Sequence, residues 1–195
     1  MPSEEIVVQL SLSELYPFPN HPFKVRDDEA MHGMMESVSQ YGVLTPAIVR
    51  PREAGGYEIV AGHRRKHASE AAGLETIPAI IRDMDDDAAI ILMVDSNIQR
   101  ENILPSEKAQ AYRMKLDAIK RKGARTDLTS PQAAARFRAD DEVAKELGIS
   151  GDTVRRYIRL TELSPQLQQM VDEKEISLAS CSVVTPTRSS VRSIW

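Results

Sequence analysis

Hydrophobic positions in the first half of the chain follow two different spacings. Four short apolar runs rich in β-branched residues are typical of strands: residues 6–10, 46–50, 57–61 and 77–81. Gly55-Gly56 separates the middle two runs, which predicts a hairpin. Residues 27–41 and 64–72 instead read as helices, and each is followed by a glycine that ends it. This mixture indicates an α+β or α/β module over residues 6–100, and we expect the α+β class.

The second half of the chain has helical spacing only. The predicted helices are residues 85–97, 106–122, a helix that begins at 130, 141–147, 152–163 and 165–172. Gly123 is expected to end the second of these, and Ser130-Pro131 combines an N-cap with proline at the first helical position. We expect an all-helical module over residues 104–178. Residues 179–195 are rich in serine and arginine, and we expect them to be a disordered, truncated tail.

Composition excludes several classes of protein. The single cysteine, Cys181, excludes a disulfide framework and a cysteine-based zinc site. No apolar run is long enough to span a bilayer and the acidic start does not read as a signal peptide, so a cytoplasmic protein without membrane contact is expected. The net charge of −4 gives no reason to expect nucleic-acid binding. Basic residues nevertheless outnumber acids between residues 121 and 160, where a local patch could lie.

A dense cationic segment, GHRRKHA at 62–68, follows the predicted strand at 57–61. Gly62 lets the backbone approach a ligand closely, and amides at a helix start point toward anions. Arg64 and Arg65 add bidentate phosphate donors. The segment predicts a phosphate cradle, although a solvated basic first turn of a helix would explain it equally well.

A polar segment, DSNIQREN at 95–102, follows the apolar helix. Its oxygen atoms could coordinate a cation, and Arg100 could hold a phosphate. Helix capping followed by a polar loop explains this segment better when it is considered alone.

Residues 141–160 have the spacing of a helix-turn-helix. Ala144 allows two helices to cross closely, Gly148 makes the turn, and Val154 with Ile158 seats the second helix. We expect DNA contacts from the start and exposed face of that second helix: Ser150, Thr153, Arg155, Arg156 and Arg159. Arg155 is expected to read bases, and Arg156 or Arg159 to contact phosphates. Two packed helices with a basic face are the alternative.

In this order, the segments resemble the ParB family of centromere-binding partition proteins over about residues 6–178. The shared text is GVLTP at 42–46, GHRRKHA at 62–68, NIQR at 97–100, PSEKA at 105–109 and the helix-turn-helix. The arginine-rich second box with His63 is most similar to plasmid and integrative-element members. The resemblance implies a sulfiredoxin-like, nucleotide-binding ParB fold for the first module.

The resemblance also implies a function. ParB proteins bind a palindromic DNA site as homodimers on a nucleoid or plasmid, use CTP with Mg²⁺ to close into a sliding clamp, and act with a ParA-type ATPase. The nucleotide pocket of the family maps onto three segments of this chain. Thr45 corresponds to the segment beside the base, and Gly62, His63, Arg64 and Arg65 correspond to the triphosphate box. Asn97 and Arg100 correspond to the box that contacts magnesium and phosphate, so Asn97 is the candidate metal ligand.

One departure from the family concerns turnover. Ser96 stands where members that hydrolyse the nucleotide have a glutamate, and a serine is no general base without help. We therefore expect CTP hydrolysis to be weak or absent.

Two rival functions stay open. A helix-turn-helix transcription regulator that does not use nucleotide is the first, and CTP binding would separate it from a ParB protein. An enzyme of sulfiredoxin or nuclease type is the second. His63 in place of the sulfiredoxin cysteine argues against the former enzyme, and the lack of a carboxylate cluster in the first module argues against the latter.

Overall fold

The computed structural model describes residues 5–100, 102–126 and 132–179. The chain divides into two compact units, the first of which ends at Arg100. The first unit contains β1 (Val7–Ser11), β2 (Leu15–Pro17), α1 (Glu29–Tyr41), β3 (Ala47–Pro51), β4 (Tyr57–Ala61), α2 (His63–Ala71), β5 (Thr76–Ile81) and α3 (Asp86–Ile98). The second unit contains α4 (Pro105–Thr126), α5 (Gln132–Leu147), α6 (Gly151–Leu160) and α7 (Pro165–Asp172).

The first unit is built on a five-stranded mixed sheet with the order β1-β5-β3-β4-β2. Strands β3 and β4 pair antiparallel, which confirms the predicted hairpin. Strand β5 returns parallel to β3 after the crossover through α2, and β1 pairs antiparallel with β5. The α+β fold class expected from the sequence is therefore confirmed.

Alternating side chains of the sheet form one core of the first unit, and its helices form another. The sheet core contains Leu10, Leu12, Leu15, Ala47, Val49, Ile59, Ile77 and Ala79. The second cluster joins α1 to α2 through Met31, Val38 and Ala68. Because α2 begins directly after β4, this packing fixes the start of α2 at the end of the central hairpin.

Strand β2 was not found by periodicity. It contains three residues and pairs parallel with β4 at the edge of the sheet. Three residues are too few to display a repeat of period two, and Pro17 cannot donate to a ladder. Only pairing with β4 makes this segment a strand.

The second unit corrects two predicted helix boundaries. Helix α4 continues through Gly123 to Thr126, so the prediction that Gly123 ends it was wrong. One glycine inside a helix costs only about 1 kcal/mol relative to alanine, which a long helix can absorb. Residues 141–147 are not a separate helix but the last turns of α5. The proposed N-cap at Ser130-Pro131, and Cys181 with the rest of the tail beyond residue 179, lie outside the described residues.

The helix-turn-helix has the packing that its spacing predicts. Val154 on α6 is fully buried against Val143 and Ala144 on α5, with Ile158 packed at the edge of the same cluster. Gly148 makes the turn with φ +66°, a conformation in which glycine is not strained. Among the described residues, no helix is both long and apolar enough to cross a membrane.

Candidate phosphate pocket and nucleic-acid interface

A cleft of about 280 Å³ opens in the first unit at the start of α2. Its polar lining consists of His21, Gly62, His63, Arg64, Arg65, Ser96, Asn97 and Arg100, and its apolar lining of Phe23, Val25, Met34 and Ala61. The two polar segments singled out in the sequence, at 62–65 and 96–100, therefore meet in one place. Within the part of the chain that the structure describes, none of the side chains lining the cleft is acidic. Three arginines in a concave site without carboxylates favour an anionic ligand.

Gly62 forms the floor of this cleft and caps α2. Its φ of +124° and ψ of +16° belong to a region that residues with a Cβ rarely adopt. A Cβ built on Gly62 would lie 2.9 Å from the Cβ of Ala47, which is itself fully buried. Glycine is therefore required twice, by the backbone conformation and by the close approach of β3. The first amides of α2 consequently start at the cleft without a capping side chain.

Arg64 carries a donor that the protein itself does not use. Its Nε is buried, lines the cleft region and has no hydrogen-bond acceptor among the described residues. Its Nη2 forms a long ion pair, at 3.4 Å, with Oδ1 of Asp28. Asp28 is also the N-cap of α1. Because a buried donor without a partner is costly, this geometry favours a ligand that supplies an acceptor.

Arg65 connects the cleft to the segment that contains Thr45. Its Nη1 donates to the carbonyl oxygen of Thr45 at 2.9 Å and also to that of Pro46. Burial lowers the pKa of Arg65. Thr45 itself is not among the lining residues, so the structure places it beside the cleft and joins it through Arg65.

His63 is held as a neutral ring. It contacts His21 with ring centroids 3.9 Å apart and ring planes tilted by 41°, and its Nε2 accepts from the backbone N–H of Phe18 at 3.3 Å. Burial first, and then the charges of His21 and Lys66, lower the pKa of His63 to about 3. With Nε2 as the acceptor, the proton of the neutral ring lies on Nδ1.

The stability of the first unit should therefore fall in mild acid. The pKa of His63 is about 3 in the fold and 6.5 ordinarily, so the unfolded chain takes up a proton first as the pH falls below 6.5. The free energy of unfolding should drop by about 2 kcal/mol from this group between pH 7 and pH 5. Native-state hydrogen exchange of the β4 amides measures it. His63→Gln should remove this part of the pH dependence, and equal slopes in both proteins would contradict the account.

Asn97 and Ser96 occupy the last turn of α3. The Nδ2 of Asn97 donates to the carbonyl oxygen of Met93 at 2.8 Å and to Oγ of Ser96 at 3.2 Å. With its amino group engaged, the amide oxygen is the atom that Asn97 can offer to a cation. The described residues contain no cluster of three His, Cys, Asp or Glu side chains able to hold a metal ion by themselves.

The three arginines of α6 differ in their exposure to solvent. Arg156 and Arg159 are exposed. Arg155 is half-buried, and its Nη2 lies 2.6 Å from Oδ1 of Asp152. Ser150 caps the helix by accepting from the N–H of Thr153, and the two hydroxyls share a further hydrogen bond of 2.9 Å. The five predicted residues therefore extend over the whole of α6, from the N-cap Ser150 to Arg159 in the last turn.

Sequence reasoning missed the apolar part of the cleft. Phe23 and Val25 come from the irregular segment between β2 and α1, and Met34 comes from α1. None of these residues belongs to a motif or to a periodic pattern that separates a pocket from a core. The available signal was the pair His21 and Phe23, which lies in a segment without helix or strand and could have indicated a ligand site.

Family models match both units. The model of the ParB N-terminal domain covers residues 1–98, and that of the ParB HTH domain covers residues 132–190. The chain belongs to the ParB family. Both the α+β unit with its cleft and the helix-turn-helix unit thus correspond to domains of that family.

Individual ParB relatives agree with this assignment. Stage 0 sporulation protein J of Bacillus subtilis is 38% identical over 176 residues, which are 90% of this chain and 56% of that protein. Chromosome-partitioning protein Spo0J of Thermus thermophilus is 33% identical over 171 residues, 88% of this chain and 56% of that protein. The chain therefore spans about half the length of these relatives.

A solved ParB structure has the same fold. C-terminally truncated chromosome-partitioning protein ParB from Caulobacter crescentus, complexed to the centromeric parS site, aligns with a TM-score of 0.58. The sequences are 24% identical, and the match covers 89% of this chain and 82% of that one. At this level of identity the likeness concerns the fold.

Proposed function

We propose that this chain is a DNA-binding partition protein of the ParB family, which binds CTP with Mg²⁺ in its first unit and centromere-like double-stranded DNA with its second. The observation that carries the nucleotide part is the cleft at Gly62. There, three arginines line a cleft whose described lining contains no acidic side chain, and the buried Nε of Arg64 has no acceptor among the described residues. A polyphosphate supplies the charge and the acceptors that this site is missing.

Each lining residue has a role in this proposal. The backbone at Gly62 and the first amides of α2 hold phosphate oxygens, and Arg64 donates to them from its buried Nε. Arg65 orders the Thr45 segment, which the family resemblance assigns to the base. Asn97 would offer its amide oxygen to Mg²⁺, and the bound cation would neutralise phosphate charge. Arg100 contributes a further positive charge at the same phosphates.

Ser96 favours a binding switch over an efficient hydrolase. Its hydroxyl donates to the carbonyl oxygen of Met93 at 2.9 Å, and so it is not arranged to take a proton from water. No acidic side chain among the described residues lines the cleft to act as a general base. In this proposal the nucleotide acts by its presence, as a clamp-closing signal in a homodimer on a nucleoid or plasmid, with a ParA-type ATPase as partner.

The DNA part of the proposal rests on α6. Its N-terminus begins at the turn of the helix-turn-helix, and the exposed Arg156 and Arg159 provide phosphate donors on one side. Ser150 and Thr153 lie at the end of the helix from which base edges are usually contacted. This arrangement fits insertion into the major groove.

Calorimetric titration of the full chain with CTP, UTP, ATP and GTP, each with Mg²⁺, tests the nucleotide assignment. We expect CTP to bind and ATP to bind far more weakly or not at all. The same protein is titrated with a palindromic duplex. DNA binding without any nucleotide binding would instead support a helix-turn-helix transcription regulator, and no binding of either ligand would refute the whole proposal.

A further inference from the structure

The arginine expected to read bases, Arg155, lies among acidic side chains at the turn between α5 and α6. Its Nη2 is 2.6 Å from Oδ1 of Asp152 on the same helix, and its Nη1 is 4.0 Å from Oδ2 of Asp140 on α5. The pKa of Arg155 is raised, first by its hydrogen bond to Asp152 and further by the charges of Asp140 and Asp141. By contrast, Arg156 and Arg159 are exposed on the same helix.

Asp140 is an unusual partner because it is buried. Only 6% of its surface is exposed, and its Oδ1 is a buried atom without a hydrogen-bond partner among the described residues. A buried carboxylate is stabilised by a nearby cation. Arg155 therefore lies near the buried Asp140, at 4.0 Å, and is hydrogen-bonded to the exposed Asp152.

Gly151 makes room for this arrangement. A Cβ at this position would lie 3.3 Å from Nη1 of Arg155 and 2.8 Å from Oδ1 of Asp141. Gly151 is the first residue of α6 and its φ is not positive, so its backbone does not require glycine. The absence of a side chain instead leaves space for the guanidinium and the neighbouring carboxylate.

We propose that Asp140 and Asp152 withhold Arg155 from the DNA backbone and so determine selectivity, an inference that rests on the proposed DNA-binding function. An arginine paired with two carboxylates adds no net positive charge, and a phosphate must displace Asp152 to reach it. Asp152 also repels a phosphate that approaches the start of α6. Non-specific duplexes, which offer mainly phosphates, therefore gain nothing from Arg155.

The salt dependence of binding to a random-sequence duplex tests this inference, because its slope counts the phosphates that are neutralised. The affinity of the full chain is measured from about 50 to 200 mM salt. We expect Arg155→Ala to have the wild-type slope. For Asp152→Asn, the slope of log affinity against log salt concentration should be steeper by about 0.9, because the released Arg155 binds one more phosphate. The double variant, which combines Asp152→Asn with Arg155→Ala, should return to the wild-type slope.

Two further variants make the result specific. Gly151→Ala keeps both carboxylates and crowds only the flexible ends of the Asp141 and Arg155 side chains, so it should have the wild-type slope. Arg156→Ala is the matched control for an exposed arginine, and it should flatten the slope by about 0.9. Helix content by circular dichroism verifies that each variant is folded.

Three results would overturn the inference. The first is a flatter slope for Arg155→Ala, which would mean that Arg155 already binds phosphate in the wild type. The second is a double variant as steep as Asp152→Asn, which would mean that only charge repulsion was removed. The third is an unchanged slope in Asp152→Asn. A wild-type chain that binds no duplex at all would instead refute the proposed DNA-binding function, and the inference with it.

Discussion

Arg64→Ala should weaken CTP binding by roughly 10- to 100-fold, because it removes charge-assisted hydrogen bonds worth about 1.5–3 kcal/mol. The buried Nε of Arg64 has no acceptor among the described residues, so a bound phosphate gains this donor without breaking another hydrogen bond. Calorimetric titration with CTP and Mg²⁺ measures the loss. The ion pair with Asp28 is long, at 3.4 Å, so its loss should affect the fold little.

Two variants control this experiment. Lys66→Ala removes an equal charge from the same helix, but Lys66 pairs with Glu70 at 3.0 Å and does not line the cleft, so the affinity should change little. Arg64→Lys keeps the charge and loses the planar donor, so it should recover only part of the affinity. Equal losses in Arg64→Ala and Lys66→Ala would show that Arg64 acts only through general charge.

Gly62→Ala should lower the free energy of unfolding of the first unit by at least about 2 kcal/mol. A residue with a Cβ is strained by about 1–3 kcal/mol at a φ of +124°, and the new methyl group would lie 2.9 Å from the Cβ of Ala47. Because Ala47 is fully buried in β3, it cannot move aside without disturbing the sheet. Native-state hydrogen exchange of the β4 amides measures the change.

Gly33→Ala is the matched control for this effect. Gly33 lies within α1, its φ is not positive, and beyond its chain neighbours and the helix backbone no described atom lies within 4 Å of a Cβ built there. The same substitution should therefore stabilise the protein by about 0.5–1 kcal/mol through helix propensity. If the same substitution lowers the free energy of unfolding at Gly62 and raises it at Gly33, the effect is due to the conformation of Gly62 and not to alanine in general. A neutral Gly62→Ala would contradict the strained turn described here.

Local patterns in the sequence were sufficient for most secondary structure. The hairpin of β3 and β4, helix α1 with its terminating Gly42 and helix α7 each depend on a period or an end signal within a few residues. The same holds for the spacing of Ala144 and Val154, since a helix-turn-helix is a local unit. The ParB resemblance also depended on short segments in order, and the family models agree with it.

Contacts between distant segments decided the rest. Strand β2 exists because β4 pairs with it, and His63 is neutral because the fold buries it beside His21. The pairing of Arg155 with Asp140 joins two helices across a turn, and it could not be read from the charge pattern of α6 alone. The sequence by itself determined most of the helices and strands and the cationic box, because those depend on neighbours along the chain. Only the tertiary structure decided which arginines are engaged and which donor is left for a ligand, because burial and pairing depend on neighbours in space.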